Sequence, residues 1–451
     1  MNKKILFLGV GGIGVSALAI AAKKLGAIVT GYDSKPNKLT AKLESLGIDI
    51  FSSPSEVVVA NFSMIVYSSA ILSSHPLLSK ANEIGVECLQ RASFLAILME
   101  DFKQSIAITG THGKTTTSSV LATLLSKLDH SSSFVVGGLV KHTNSNIEVN
   151  GTDTLVIEAD ESDASFLHLN PCTAIVTNID FDHMGTYKNS YDNLLENFYS
   201  FLSKPSVKNT YICIDDKGCQ DLLSNYNLSN KNVVTYCFSN DANVRIIDYN
   251  PAQDVTNFSI LYQDREMTFT TSLPGKYNIL NITVCIAVCL DLGFSYRPIK
   301  EALYDVAGVE RRFDIYKKTI LNHTVEVIDD YGHHPVEVSN CLSAVKDKYP
   351  NKKIIHIFQP HRYSRNRDLL DDWIKALAIA DKLILLPTYS AGEEVIANAT
   401  SVDIAKKLTN CTLAESFDEA IYQLEQCVTD DTVVLIQGAG DVTNIVEMLN
   451  D

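Results

Sequence analysis

Short apolar runs that end in glycine, acid or imidazole recur along the whole chain. "KILFLGV" (4–10) gives way to a glycine turn, residues 14–25 follow at helical spacing, and "AIVTGYD" (27–33) ends on an aspartate. Apolar runs of about four to eight residues bounded by turn residues predict buried strands, and the 3.6-period stretches between them predict helices. The same alternation runs through "FSMIVYSSA" (62–70) and "VECLQRASFLAILMED" (86–101). It resumes in "SIAITGTHGKTTTSSVLATLLSKL" (105–128), "DTLVIEADESD" (153–163), "CTAIVTNIDFDH" (172–183) and "NTYICIDD" (209–216). From about 232 to 273 the pattern becomes β-type, as in "NFSILYQDREMTFTTS", and 278–294 predicts a helix. Beyond "VERRFD" (309–314) the alternation returns through "TVEVIDDYGHHP", "KKIIHIFQPHR", "KLILLPTY" and "TVVLIQGAGD". The expected class is α/β, three successive α/β units with largely parallel sheets. Ligands should then gather beyond the carboxyl ends of the strands.

Composition narrows the function. At 451 residues two or three domains are expected, and 46% apolar with 20% charged residues is ordinary for a globular chain. A formal net charge of -15 argues against a nucleic-acid or anionic-membrane partner. No run of about 18 apolar residues predicts a membrane span, and the N-terminus lacks a secretory pattern. Ten cysteines without C-x-x-C pairs fit a reduced cytoplasm, with Cys285 and Cys289 read as core.

Four motifs carry candidate chemistry. "GVGGIG" (9–14) is a strand–glycine turn–helix, with Asp33 ending the next strand where a hydroxyl-binding acid is expected. A diphosphate suits it, and NAD and a UDP-sugar both qualify. "TGTHGKTTT" (109–117) ends like a phosphate loop but has Ile108 at the position of the first glycine, with Gly110 the nearest earlier one. Lys114 with Thr115 and Thr116 puts a cation and hydroxyls at one helix N-terminus, which favours phosphate and Mg²⁺. Lys114→Ala is expected to leave the core untouched. Glu158 and His183 end the next two strands, where they are expected to face the loop. "DDYGHHP" (329–335) and "FQPHRYSR" (358–365) gather acid, imidazole and guanidinium at two further strand ends. Zinc on His333, His334 and His361 competes there with an anion clamp by Arg362 and Arg365.

As a set, "GVGGIGVSALA", "SSAI", "GTHGKTTT", "EADESDASFLHL", "TNIDFDHM", "GKYNILN", "GVERRFD", "DDYGHHPVEV", "QPHRYSR" and "GAGD" resemble, in order, the Mur ligase family over essentially the whole chain. T-G-T-x-G-K-T is that family's own form of the phosphate loop. The resemblance implies a Rossmann-like UDP-sugar domain (1–103), a central P-loop ATPase-like domain (104–308) and a C-terminal Rossmann-like domain that brings in the amino acid (309–451). It implies a cytoplasmic, ATP- and Mg²⁺-dependent enzyme joining L-alanine to the lactyl carboxylate of UDP-N-acetylmuramate through an acyl phosphate. "DDYGHHP" and "QPHRYSR" are more similar to this branch than to the murein-peptide-recycling one. A monomer or weak homodimer is expected.

By resemblance, Gly110, Thr111, His112, Gly113, Lys114, Thr115 and Thr116 hold ATP, with Asn281, Arg312 and Asp330 on the nucleotide. Thr115, Glu158 and His183 hold metal. Gly11, Gly12, Gly14, Asp33, Ser68 and Ser69 surround the UDP end, and Asn178 is a further substrate contact. Tyr331, His361, Arg362 and Arg365 lie around L-alanine, with His361 a candidate base. Tyr277 departs from the family's frequent histidine, which removes a nucleotide contact expected there.

Overall fold

The computed structural model describes residues 3–68, 70–238 and 241–449. Three α/β domains follow one another along the chain, each built on its own sheet.

The first sheet comprises β1 (Lys4–Leu8), β2 (Ile28–Tyr32), β3 (Asp49–Phe51), β4 (Met64–Tyr67) and β5 (Glu87–Gln90), in the order β3-β2-β1-β4-β5. Every pairing is parallel. Ile5 to Leu8 are fully buried, as a strand covered on both faces must be. The helix Ile13–Lys24 packs closely because its inward residues are small: Ala17, Ala19, Ala21 and Ala22 are all buried. The strand order reverses between β1 and β4, which opens a crevice at their carboxyl ends. The glycine turn follows β1 and Ser68 follows β4.

The second sheet holds β6 (Gln104–Thr109), β7 (Ser132–Val140), β8 (Ser145–Glu148), β9 (Thr154–Glu158), β10 (Thr173–Val176), β11 (Asn209–Cys213), β12 (Asn232–Cys237), β13 (Val244–Pro251), β14 (Thr256–Tyr262) and β15 (Arg265–Thr271). Its order is β15-β14-β13-β12-β11-β10-β6-β9-β7-β8. β6 lies between β10 and β9 and is parallel to both, so the loop after β6 meets the ends of its two neighbours. The β7–β8 hairpin is missing from the sequence reading. Its Ser- and Gly-rich strands lack clean alternation, and its antiparallel register shifts between Val135 and Val140.

The third sheet contains β16 (Asp314–Ile320), β17 (His323–Asp330), β18 (Lys353–Phe358), β19 (Lys382–Leu385), β20 (Cys411–Leu413) and β21 (Thr432–Gln437), in the order β16-β17-β21-β18-β19-β20. Only β16 is antiparallel to its neighbour. The chain divides into two compact units: one of Met1–Ile246, Ile260–Met267 and Leu280–Leu303, the other of Ile247–Ser259, Thr268–Ile279 and Tyr304–Asp451. No helix among the described residues is long and apolar enough to cross a membrane. The cysteines are free thiols, and Cys285 and Cys289 are core residues. Tyr277 packs against the apolar core of the second unit, a cluster that includes Val338, Cys341 and Leu342.

His356 lies in the middle of this third sheet and is fully buried. Burial lowers its pKa to about 3, with Gln437 opposing weakly. The folded protein therefore keeps this imidazole neutral, while the unfolded chain takes a proton below the ordinary value of 6.5. Its contribution to stability is intact above about pH 6.5 and falls by about 1.4 kcal/mol per pH unit below it. The stability of the wild type relative to His356→Leu should accordingly fall from pH 7 to pH 5, measured by denaturant titration. A constant difference would place His356 outside the acid response.

Candidate active site

The loop after β6 is shaped by two glycines in left-handed backbone, Gly110 (φ +127°) and Gly113 (φ +83°). A Cβ on Gly110 would lie 2.2 Å from Thr177 Oγ1, so the loop passes too close to β10 for any side chain. A Cβ on Gly113 would meet Asn281 Oδ1 at 3.0 Å, which places Asn281, on the helix Lys276–Asp291, against the loop. Asn178 braces the turn from the end of β10. Its side-chain Oδ1 accepts from the His112 N–H (2.8 Å) and its Nδ2 donates to the His112 carbonyl (2.9 Å). The Thr111 hydroxyl accepts from the Asp180 N–H at 2.8 Å, and His112 Nε2 stands 3.4 Å from Asp180.

Lys114 opens the helix Lys114–Leu128. Its ammonium donates to the carbonyls of Gly110 (2.8 Å) and Thr111 (3.2 Å) and pairs with Glu161 at 2.6 Å. Glu161 is only 2% exposed. Burial pushes its carboxyl up to about 7, with Lys114 pulling the other way. Burial alone would lower the lysine, but Glu161 and Asp160 together hold it above its ordinary value. Glu161 is absent from the sequence-predicted set. "EADESD" draws attention to its first acid, and nothing local marks the fourth residue as the lysine's partner.

Glu158, at the end of β9, does face the loop. Its Oε1 accepts from the Thr115 hydroxyl at 3.1 Å, and its Oε2 accepts from the Gly137 N–H (2.9 Å) and Ser118 hydroxyl (3.4 Å). A Cβ on Gly137 would lie 2.7 Å from this carboxylate, so glycine there is what lets β7 approach. Thr116 is buried in the first helical turn. His183 has positive φ (54°); its ring lies 3.5 Å from Asp182, whose Oδ1 also accepts the His183 N–H. Hydroxyl and carboxylate oxygens that already converge suit Mg²⁺, which prefers oxygen ligands.

At the glycine turn, Asp33 accepts from the Gly11 N–H (2.8 Å) and the Lys35 N–H (3.0 Å), and the Gly12 N–H bonds to the Gly9 carbonyl (3.1 Å). Asp33 thus shapes the turn directly. The amides of Gly11 and Gly12 are committed to the turn itself. The donors offered to an anion are those of the helix Ile13–Lys24, whose first turn, including Gly14, has no side-chain cap. Ser68 lies beside Gly9. Ser69 lies outside the described residues.

In the second unit, Asp330 ends β17 and is nearly fully buried. It accepts from the Phe313 N–H, the Gly332 N–H and Gln437, with the Cys341 thiol also bonded to it. Arg311 and Arg312 flank the Tyr331 ring, each within 5.2 Å of its centroid. His333 packs edge-on against Tyr331 and His361, and His361 stacks on Tyr389. Arg365 is buried and donates to the His361 carbonyl at 3.2 Å. Arg362 holds φ +73°, a strained backbone for a side-chain-bearing residue. Its N–H bonds to the Tyr389 carbonyl, and its guanidinium lies 3.8 Å from Glu393. Burial, then Arg365 and Arg362, lower His361 to about 4, so it is neutral near pH 7 but a weak proton acceptor.

Two anion-seeking loops at the carboxyl ends of parallel sheets, one bearing a lysine and a hydroxyl–carboxylate pair, define an α/β enzyme that handles nucleotides. The chain matches the Mur ligase family catalytic domain over residues 4–103, the Mur ligase middle domain over 108–289 and the Mur ligase glutamate ligase domain over 311–440. It is 68% identical, over all of both chains, to UDP-N-acetylmuramate–L-alanine ligase of Francisella tularensis subsp. novicida. The crystal structure of UDP-N-acetylmuramate–alanine ligase from Thermotoga maritima superposes with a TM-score of 0.80 at 29% identity, covering 99% of each chain. A murein peptide ligase from Psychrobacter arcticus shares the fold, with a TM-score of 0.69 at 22% identity over 99% of this chain and 98% of that one. The chain belongs to the Mur ligase family and is an ATP-dependent, amide-bond-forming ligase.

Proposed function

We propose that the enzyme joins L-alanine to the lactyl carboxylate of UDP-N-acetylmuramate, releasing ADP and phosphate, as a cytoplasmic step in peptidoglycan precursor synthesis. Full-length relatives of that name at 65–68% identity support the substrate assignment. The observation that carries the chemistry is the lysine loop: Lys114 opens a helix whose next residue, Thr115, bonds through its hydroxyl to Glu158.

A carboxylate is a poor acyl donor because oxide is a poor leaving group. Transfer of the γ-phosphoryl group makes an acyl phosphate, the alanine amine attacks its carbonyl, and phosphate departs. Two anions must meet in line, so the site supplies cations. Lys114 and the loop from Gly110 to Thr116 hold the ATP phosphates, and Asn281 lies toward the base. Thr115, Glu158 and His183 would hold Mg²⁺, which neutralises phosphate charge when bound. Arg312 and Asp330 serve the nucleotide. The helix at Gly14, the turn at Gly11 and Gly12, Asp33, Ser68 and Ser69 serve the UDP end, and Asn178 braces the nucleotide loop. Tyr331, Arg362 and Arg365 form the alanine site. Because His361 is a weak acceptor, water takes the amine proton and His361 orients Arg365. Holding both reactants in register removes much of the entropic barrier.

Phosphate release from ATP, measured with UDP-N-acetylmuramate plus L-alanine, plus a murein tripeptide, or with neither, tests this. Release should depend on L-alanine. Preference for the tripeptide would make the enzyme a recycling ligase.

A further inference from the structure

Within the first unit a cleft of about 270 Å³ runs from the start of the helix Ile13–Lys24 to Glu158 and Asp160, lined in part by Ile13, Gly14 and Gly137. Arg91 is the one cation among its lining residues. It begins the helix Arg91–Met99 immediately after β5, at a strand end that the sequence reading passes over. A Cβ on Gly14 would lie 3.0 Å from Arg91 Nη1. The last glycine of "GVGGIG" therefore makes room for this guanidinium as well as starting a helix. Among the described residues its ion-pair partner is Asp160, at 3.8 Å, beyond hydrogen-bond reach. Both side chains are about one-third exposed (35% and 37%).

The charges of this cleft pose a problem for the proposed substrate. Two carboxylates, Glu158 and Asp160, line the cleft that the lactyl carboxylate would enter; Mg²⁺ at Glu158 would offset the first, and Arg91 is the cation beside the second. The diphosphate has its own donors in the uncapped first turn of the helix Ile13–Lys24. A neutral amino sugar needs no cation beyond that turn, whereas the lactyl acid does. A guanidinium with unused, forked donors matches a carboxylate in geometry and charge. We propose that Arg91 binds the lactyl carboxylate of the UDP-sugar and so makes the enzyme select a carboxylate-bearing UDP-sugar over a neutral one. This rests on the proposed reading of the substrate.

Calorimetry with UDP-N-acetylmuramate and with UDP-N-acetylglucosamine, which lacks the lactyl group, isolates that carboxylate. Arg91→Gln should weaken UDP-N-acetylmuramate by about tenfold or more. It should leave UDP-N-acetylglucosamine and ATP within about twofold, and Arg91→Lys should recover only part of the loss. Equal weakening of both UDP-sugars would make Arg91 a diphosphate or scaffold residue, and no weakening would leave it only the Asp160 pairing; either overturns the proposal. Should Arg91→Gln not fold, Arg91→Lys decides alone, by whether it loses the muramate compound selectively. Failure of the wild type to release phosphate in an alanine-dependent manner would refute the substrate reading instead.

Discussion

Lys114→Ala should lose ligation by about a hundredfold or more and should also lose stability. The first effect follows from removing the loop's fixed cation where phosphate charge develops. The second follows from the pairing with Glu161 and corrects the expectation that the substitution spares the core. An ammonium has three donors, and here all three are engaged, by Gly110, Thr111 and Glu161. Removing the lysine leaves a 2%-exposed carboxylate without its counter-charge, a change that costs about 3–5 kcal/mol in buried pairs. The cost depends on pH. With its pKa raised to about 7, Glu161 contributes stability fully below the ordinary 4.5, and that contribution is lost as pH rises through about 7. Without Lys114 the folded value rises further, so the variant should be weaker at pH 8 than at pH 6. Lys114→Ala combined with Glu161→Gln should regain much of the stability at pH 8 and none of the ligation. Recovery of ligation by the double variant would show that Lys114 acts by neutralising Glu161 rather than by holding phosphate.

The same pairing marks the boundary of what the sequence makes legible. The sheets are legible because parallel strands are buried on both faces and read as uninterrupted apolar runs. The loops at their ends are legible because the backbone there needs glycine, as the positive φ of Gly110 and Gly113 bears out. Glu158 is legible because it ends a strand. Glu161, Gly137 and Arg91 are not, since each acquires its role from a partner on another element: Lys114, Glu158 and Gly14 respectively. Asn178 and Asp33 are legible as polar strand-end residues, but their local bonds are not. In the fold both hold loop backbone in place. Tyr277 reads as a lost polar contact, yet its ring is packed against the apolar core of the C-terminal unit.

Arg365→Ala should raise the KM for L-alanine by about a hundredfold while leaving the KM for ATP within about twofold. A guanidinium that receives a carboxylate gains most when it is already in place, because little side-chain entropy is then lost on binding. Arg365 meets that condition. It is 8% exposed, on the helix Tyr363–Asp368, and is tied to the His361 carbonyl. That helix is itself fixed by Glu393, which accepts from the Ser364 N–H (3.0 Å) and hydroxyl (2.6 Å). The strained Arg362 immediately before it is held by the Tyr389 carbonyl. Arg365→Lys should rescue little, since an ammonium offers no planar fork for a carboxylate. A second readout separates a site role from a general loss of structure. Arg365 is among the charges that hold His361 near 4, after burial itself. Its removal should move the His361 titration upward toward 6.5, followed by the ring-proton resonances, while the fold and the ATP affinity persist. An equal rise in both KM values, or a His361 titration that does not move, would remove Arg365 from the amino-acid site.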